Sequence, residues 1–193
     1  AADIPYNTDN GGRFPSMYQS LALTQDTYAL SHRLFSLGFD DYPRLSLFIS
    51  GLNDIFLLSY LPGGSGWLHE EGHRAVMGQY GIESYNEIYR MNIGAETVSV
   101  SHVKDEDLAW LKAKHPADMV RLHSAGIEME YVWVESSREE FFFSGKSTRF
   151  ERVGWILSEL NSLLYIQTCT TSEADEMTDE FNAKESDVKD RDF

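Results

Sequence analysis

Apolar residues at Met17, Leu21, Leu23, Tyr28, Leu30, Leu34 and Leu37 recur mostly at three- and four-residue steps and predict an amphipathic helix over 16–37, stopped by Gly38. A second helix is expected from Pro43 to Tyr60, with Pro43 in the first turn, where a missing N–H costs nothing. Leu61-Pro62-Gly63-Gly64-Ser65-Gly66 interrupts the pattern. Ser65 is then a candidate N-cap for a third helix, with Trp67, Leu68, Ala75, Val76 and Met77 as its apolar positions and Gly81 as its terminator.

Past Gly81 the period changes. Ile82, Tyr85, Ile88 and Tyr89 are β-formers, and Thr97-Val98-Ser99-Val100-Ser101 alternates in twos, so a small hairpin is expected with its turn at Asn92 to Gly94. Asp105-Glu106-Asp107 opens a further helix with acids at its positive end. Pro116 restarts the chain into a long helix over 117–140, broken by Phe141-Phe142-Phe143 and Ser144-Gly145, and a last helix is expected over 147–168. The expected class is mainly α with a small β-hairpin (α+β). Residues 1–171 form one domain, and 172–193, with nine acids and three bases, form an acidic helix or tail.

Two apolar runs bear on membranes. Leu45 to Leu61 is 17 residues but includes Ser46, Ser50, Gly51, Asn53, Asp54 and Ser59, and Val153 to Ile166 includes Glu159 and Asn161. Both read as buried helices of a soluble core rather than spans. Membrane association is a minor alternative.

Thirty-one acidic against sixteen basic residues leave a formal charge of −15. That balance excludes a nucleic-acid binder, which needs a basic stripe, and suits anionic lipid poorly. The lone Cys169 excludes an internal disulfide framework and a cysteine-rich zinc site. The opening Ala1-Ala2-Asp3 fits a processed N-terminus or a cloning boundary, and an exported location (periplasm, cell envelope or outside) is slightly preferred over the cytoplasm.

The chemistry concentrates at His69-Glu70-Glu71-Gly72-His73. Residues four apart on a helix lie about 400° around the axis, so both imidazoles leave nearly the same face one turn apart. Two nitrogens there suit one Zn²⁺, and Glu70 is placed to act as a general base towards water on that ion. Gly72 costs about 1 kcal/mol of helix propensity relative to Ala, which suggests a close approach by another backbone or a substrate.

A catalytic zinc needs a third protein ligand. On the helix after Pro116, Glu128 shares a polar stripe with Arg121, Ser124, Ala125 and Glu135. Glu130 shares an apolar one with Met119, Leu122, His123, Gly126, Ile127, Trp133 and Val134. A carboxylate on an apolar stripe needs a partner, since burying it alone is costly. Glu130 is therefore the favoured ligand and Glu128 the reserve, with Gly126 allowing the two helices to approach. The competing reading pairs Glu130 with a core Arg or His. His123 is a candidate for support behind the ligands or for a substitute ligand; His102 and His115 are weaker, and His32 has no evident role.

The His69-Glu70-Glu71-Gly72-His73 helix, followed at a distance by the Gly126…Glu130 helix, resembles the zincin metallopeptidases of gluzincin type. Val76 and Gln79 stand where the extended metzincin form has Gly and His. The sequence also departs from the Glu-x-x-x-Asp pattern of several gluzincins, with Val132 four after Glu128 and Val134 four after Glu130. The resemblance implies a zincin-like helical core, a Zn²⁺ cofactor, a peptide or protein substrate, and hydrolysis by metal-activated water with Glu70 as base. It also implies an oxyanion partner, for which Tyr131, His123 and Tyr165 are candidates. Two other readings remain: a structural or sensory metal site, and a helical interaction module in which the motif is accidental.

Overall fold

The computed structural model describes residues 14–39, 41–58, 61–88, 98–144 and 151–168. Their order is α1 (Met17–Phe39), α2 (Pro43–Asn53) running into a π-helical turn (Asp54–Leu58), α3 (Ser65–Gly78), β1 (Tyr85–Ile88), β2 (Val98–Ser101), α4 (Asp105–Lys114), α5 (Pro116–Glu139) running into a second π-helical turn (Glu140–Ser144), and α6 (Glu151–Thr168). The protein is mainly helical with a two-stranded antiparallel sheet, in which Tyr85 pairs with Ser101 and Ile88 with Val98. The expected hairpin turn at Asn92 to Gly94 and the tail at 172–193 lie outside the described residues. Two compact units divide the chain, 1–159 and 160–193. No helix among the described residues is long and apolar enough to cross a membrane.

Several local signals act as their chemistry requires. Pro43 and Pro116 sit in the first turns of α2 and α5, and three acids occupy the first turn of α4. Beyond α3 the backbone turns left-handed at Gly81, with φ +71. The Ile82 N–H then donates to the Met77 carbonyl at 3.2 Å and the Gly81 N–H to that of Gly78 at 3.1 Å. This is a Schellman closure, and its apolar clasp, Ile82 with Met77, joins the core. That core gathers Val76, Met77, Ile82, Leu111, Met119, Leu122 and Ala125; a second cluster joins Tyr28, Leu68, Met129 and Trp133.

Other expectations fail for identifiable reasons. Ser65 is the first residue of α3 and not its cap; Gly64, in extended conformation, stands at the N-cap. The Phe141–Phe143 run does not break α5 but continues it as a wider turn. Met17, Leu21 and Tyr28 of the stripe expected on α1 do pack into the core, and the largest correction concerns the rest of α1 and α2, expected to bury their apolar residues. Buried on α1 are Ser20, Thr24, Tyr28 and His32, and on α2 Ser46, Ser50 and Asn53. Leu30, Leu34, Leu37, Leu45, Phe48 and Leu52 are exposed instead, and Ile156 of α6 is half exposed. A period identifies a face but not which way it turns, and here the polar face turns inward.

Candidate metal centre

The site forms where α3 crosses α5, and glycines set how close the helices come. A Cβ at Gly72 would lie 2.5 Å from the Ala125 carbonyl oxygen. A Cβ at Gly126 would lie within 2.6 Å of Nε2, Cδ2 and Cε1 of His69. Those three ring atoms are nearly equidistant from that point, so the imidazole rests face-on against the glycine. Side chains at either position would push the helices apart.

The other side of α3 is anchored to the sheet. Arg74 is buried; its Nε donates to the Ser84 carbonyl at 3.0 Å and its Nη1 to Glu71 at 2.6 Å. Asn86 on β1 donates to the same Glu71 oxygen at 2.7 Å. Burial pushes the Glu71 carboxyl up despite the opposing charge and hydrogen bond of Arg74. Glu71 thus ties the helix to Arg74 and β1.

The His69 and His73 rings stand edge to face, 5.0 Å between centroids. One ligand atom each from His69, Glu70 and His73 all fall within 4.8 Å of one another. His73 Nδ1 lies 2.6 Å from the Leu122 carbonyl oxygen, which can only accept, so Nδ1 carries the hydrogen and Nε2 is left with its lone pair. His69 Nδ1 lies 3.1 Å from Glu130 Oε1. Glu70 Oε2 accepts from the Val100 N–H of β2 at 3.2 Å, so β2 lies beside the candidate base.

Electrostatics separates the two rings. Burial pushes His73 down to about 4, with the charges of His69 and His123 acting in the same direction. A neutral imidazole at ordinary pH is the form that ligates metal. Burial alone lowers His69 too, but the hydrogen bond and charge of Glu130, with the charge of Glu70, outweigh it and leave the ring raised.

Glu130 is 3% exposed, whereas the Glu128 side chain is 44% exposed and faces Arg121 at 3.4 Å. The structure thus brings together His69, Glu70, His73 and Glu130 and leaves Glu128 apart. Glu130 is not in the three-residue cluster itself; it stands behind His69. His123 is exposed, though close enough to act on His73, and Tyr131 is exposed. His102 pairs with Glu87 at 2.9 Å and His115 stacks on Tyr80, both away from the cluster. The Tyr165 side chain lies outside the described residues.

His32 is the residue whose place the sequence hid. It is fully buried, with Nε2 2.7 Å from Oδ1 of the equally buried Asp54. The only sequence sign was that His32 continues the four-residue steps of Ser20, Thr24 and Tyr28. No protein-family model, curated protein or solved structure matches the chain.

Proposed function

We propose that this chain is a zinc-dependent metallopeptidase that hydrolyses peptide bonds, with His69 and His73 as ligands and Glu70 as general base. The observation that carries the reading is that each imidazole is held through its Nδ1, His73 by the Leu122 carbonyl and His69 by the Glu130 carboxylate. A carbonyl or carboxylate behind a histidine fixes its tautomer and orientation and raises its basicity as a ligand.

Zinc, when bound, supplies a Lewis acid that acidifies water towards neutrality and polarises a carbonyl. Glu70 takes the proton of the attacking water and delivers it to the leaving amine. The Val100 N–H holds one Glu70 oxygen in place for that transfer. Glu130 supports the site in one of two ways. As acceptor of the His69 Nδ1 hydrogen, it leaves Nε2 for the ion. As third ligand, it would hold the ion together with His69 Nδ1, which lies 3.1 Å from its Oε1.

One observation favours a different reading. The Glu130–His69 pair is complete without an ion, as a structural histidine–carboxylate pair would be. Elemental analysis separates the two: about one zinc per purified chain supports the metal centre, and none leaves a structural pair. Glu70→Gln then tests catalysis. It should retain zinc and folding while losing about 10²- to 10⁴-fold in hydrolysis of casein or a peptide library. Undiminished cleavage would remove Glu70 from the mechanism.

A further inference from the structure

Helix α2, packed on α1, has the polarity of a helix solvated by hydrocarbon. On α2 the inward stripe is Ser46, Ser50 and Asn53, continued by Asp54; the outward stripe of Leu45, Phe48, Leu52, Ile55 and Phe56 is 37–64% exposed. On α1 the inward residues are Ser20, Thr24, Tyr28 and His32; Leu30, Leu34 and Leu37 point outward, and the exposed Asp26 and Arg33 share their face. Asn53 donates to Ser31 at 3.0 Å, and His32 and Asp54 bond across the same interface. The hydroxyls of Ser46 and Ser50 are buried there without a hydrogen-bond partner.

Such an arrangement works against folding in water. Two helices associate in water by burying apolar surface, yet this contact buries hydroxyls, an amide and an ionisable pair. In hydrocarbon both signs reverse: small and hydroxylated residues pack helix on helix, ionisable groups pair inside, and apolar side chains meet the solvent. Around α2 charge follows the same division. Charged residues are 24% of the chain, but Asp54, buried, is the one such residue in the 23 from Leu45 to Trp67.

We propose that the outward face of α2 is a docking surface for the hydrocarbon of a lipid bilayer, entered from one side. Pro43 to Leu58 is about 24 Å of helix at 1.5 Å per residue, short of a ~30 Å core, which suits insertion into one leaflet rather than crossing. A second copy of the chain would cover the outward leucines but would leave the polar contact between α1 and α2 without a driving force. The inference does not depend on zinc. Because the turn at Leu61–Gly64 leads directly into α3, such docking would hold the His pair near the membrane surface.

The test is flotation of the full chain with neutral phosphatidylcholine vesicles. It should co-float, keep doing so in high salt, and bind less as anionic lipid is added, because the chain carries −15. Phe48→Glu and Leu52→Glu, which face outward and leave the circular dichroism spectrum unchanged, should each cut partitioning by at least about tenfold. Lys114→Glu, at the exposed end of α4, should leave it unchanged. A chain that stays in the lipid-free fraction overturns the proposal. Light scattering of that fraction then shows whether a second copy covers the face (a dimer) or nothing does (a monomer). Glutamate variants that float as well as the parent overturn it too, by placing lipid contact elsewhere.

Discussion

His69 lies face-on against Gly126, so the helix carrying the His pair and the helix carrying Glu130 touch at the candidate ligand itself. Gly126→Ala should therefore damage stability and metal binding together. Overpacking of this kind costs about 1–3 kcal/mol, and the ring that must move is the one proposed to hold the ion. Gly81→Ala is the control: its added methyl meets nothing within 4 Å, and its cost is the left-handed backbone, about 1–2 kcal/mol. Urea melts and zinc competition with a chromophoric chelator should show both variants destabilised but only Gly126→Ala weakened in zinc affinity. Unchanged affinity in Gly126→Ala would mean that this contact does not position the ligand.

Glu130 and Glu128, two residues apart on α5, should behave as opposites. Glu130→Ala removes the acceptor of His69 and should lower zinc affinity by about 10- to 100-fold. Glu128→Ala breaks an exposed pair with Arg121 and should change stability by less than about 1 kcal/mol and zinc affinity not at all. Zinc-edge absorption distinguishes the roles of Glu130: loss of an oxygen from the ion's shell marks a ligand, and an unchanged shell marks an orienting acceptor. Equal losses in the two variants would refute the assignment by face.

The two candidate ligand histidines should also leave separate marks on acid stability. An unfolded His73 protonates near its ordinary 6.5, the folded one only near 4, because burial penalises the charge. Between those values the unfolded state binds the extra proton, so the metal-free chain should lose stability as pH falls from 6.5 to 4. His69 is raised by Glu130; its stabilisation is complete below 6.5 and fades as pH rises through its raised value, so it does not slope in the lower window. The loss assigned to His73 should be on the order of 2 kcal/mol, allowing for the part of the ring that water reaches. Urea midpoints across that range should fall more steeply for the parent than for His73→Asn; parallel curves would show that His73 is not held neutral.

Much of the helical framework and part of the site were legible because they follow from local rules. Prolines and acids mark the starts of α2, α4 and α5, Gly81 closes α3, and the four-residue spacing puts His69 and His73 on one face. Gly72 and Gly126 were readable as contact points because a glycine inside a helix costs propensity and needs a reason. Tertiary orientation was not legible. The leucines of α1 and α2 have the period of a core face, and nothing in a single period distinguishes leucines turned inward from leucines turned outward. His32 was missed for the same reason: its partner Asp54 lies 22 residues away on another helix, and only the inward rotation of both polar stripes makes them meet.

That buried couple should carry much of the stability of the α1–α2 hairpin. Both side chains are fully buried, and burial pushes the Asp54 carboxyl up while the hydrogen bond and charge of His32 pull it down. Removing one partner strands the other in a site closed to water, a cost on the order of 3–5 kcal/mol. Replacing both by apolar residues removes the burial penalty along with the bond and is often close to neutral. The expected order in urea is therefore that Asp54→Ala and His32→Ala are each strongly destabilised, while the double variant His32→Leu with Asp54→Leu recovers most of the loss. Zinc content per folded chain should be the same in all three, since neither residue touches the α3–α5 site. Single variants as stable as the parent would show that the couple adds nothing to the hairpin, and a double variant weaker than either single would show that its bond outweighs its burial.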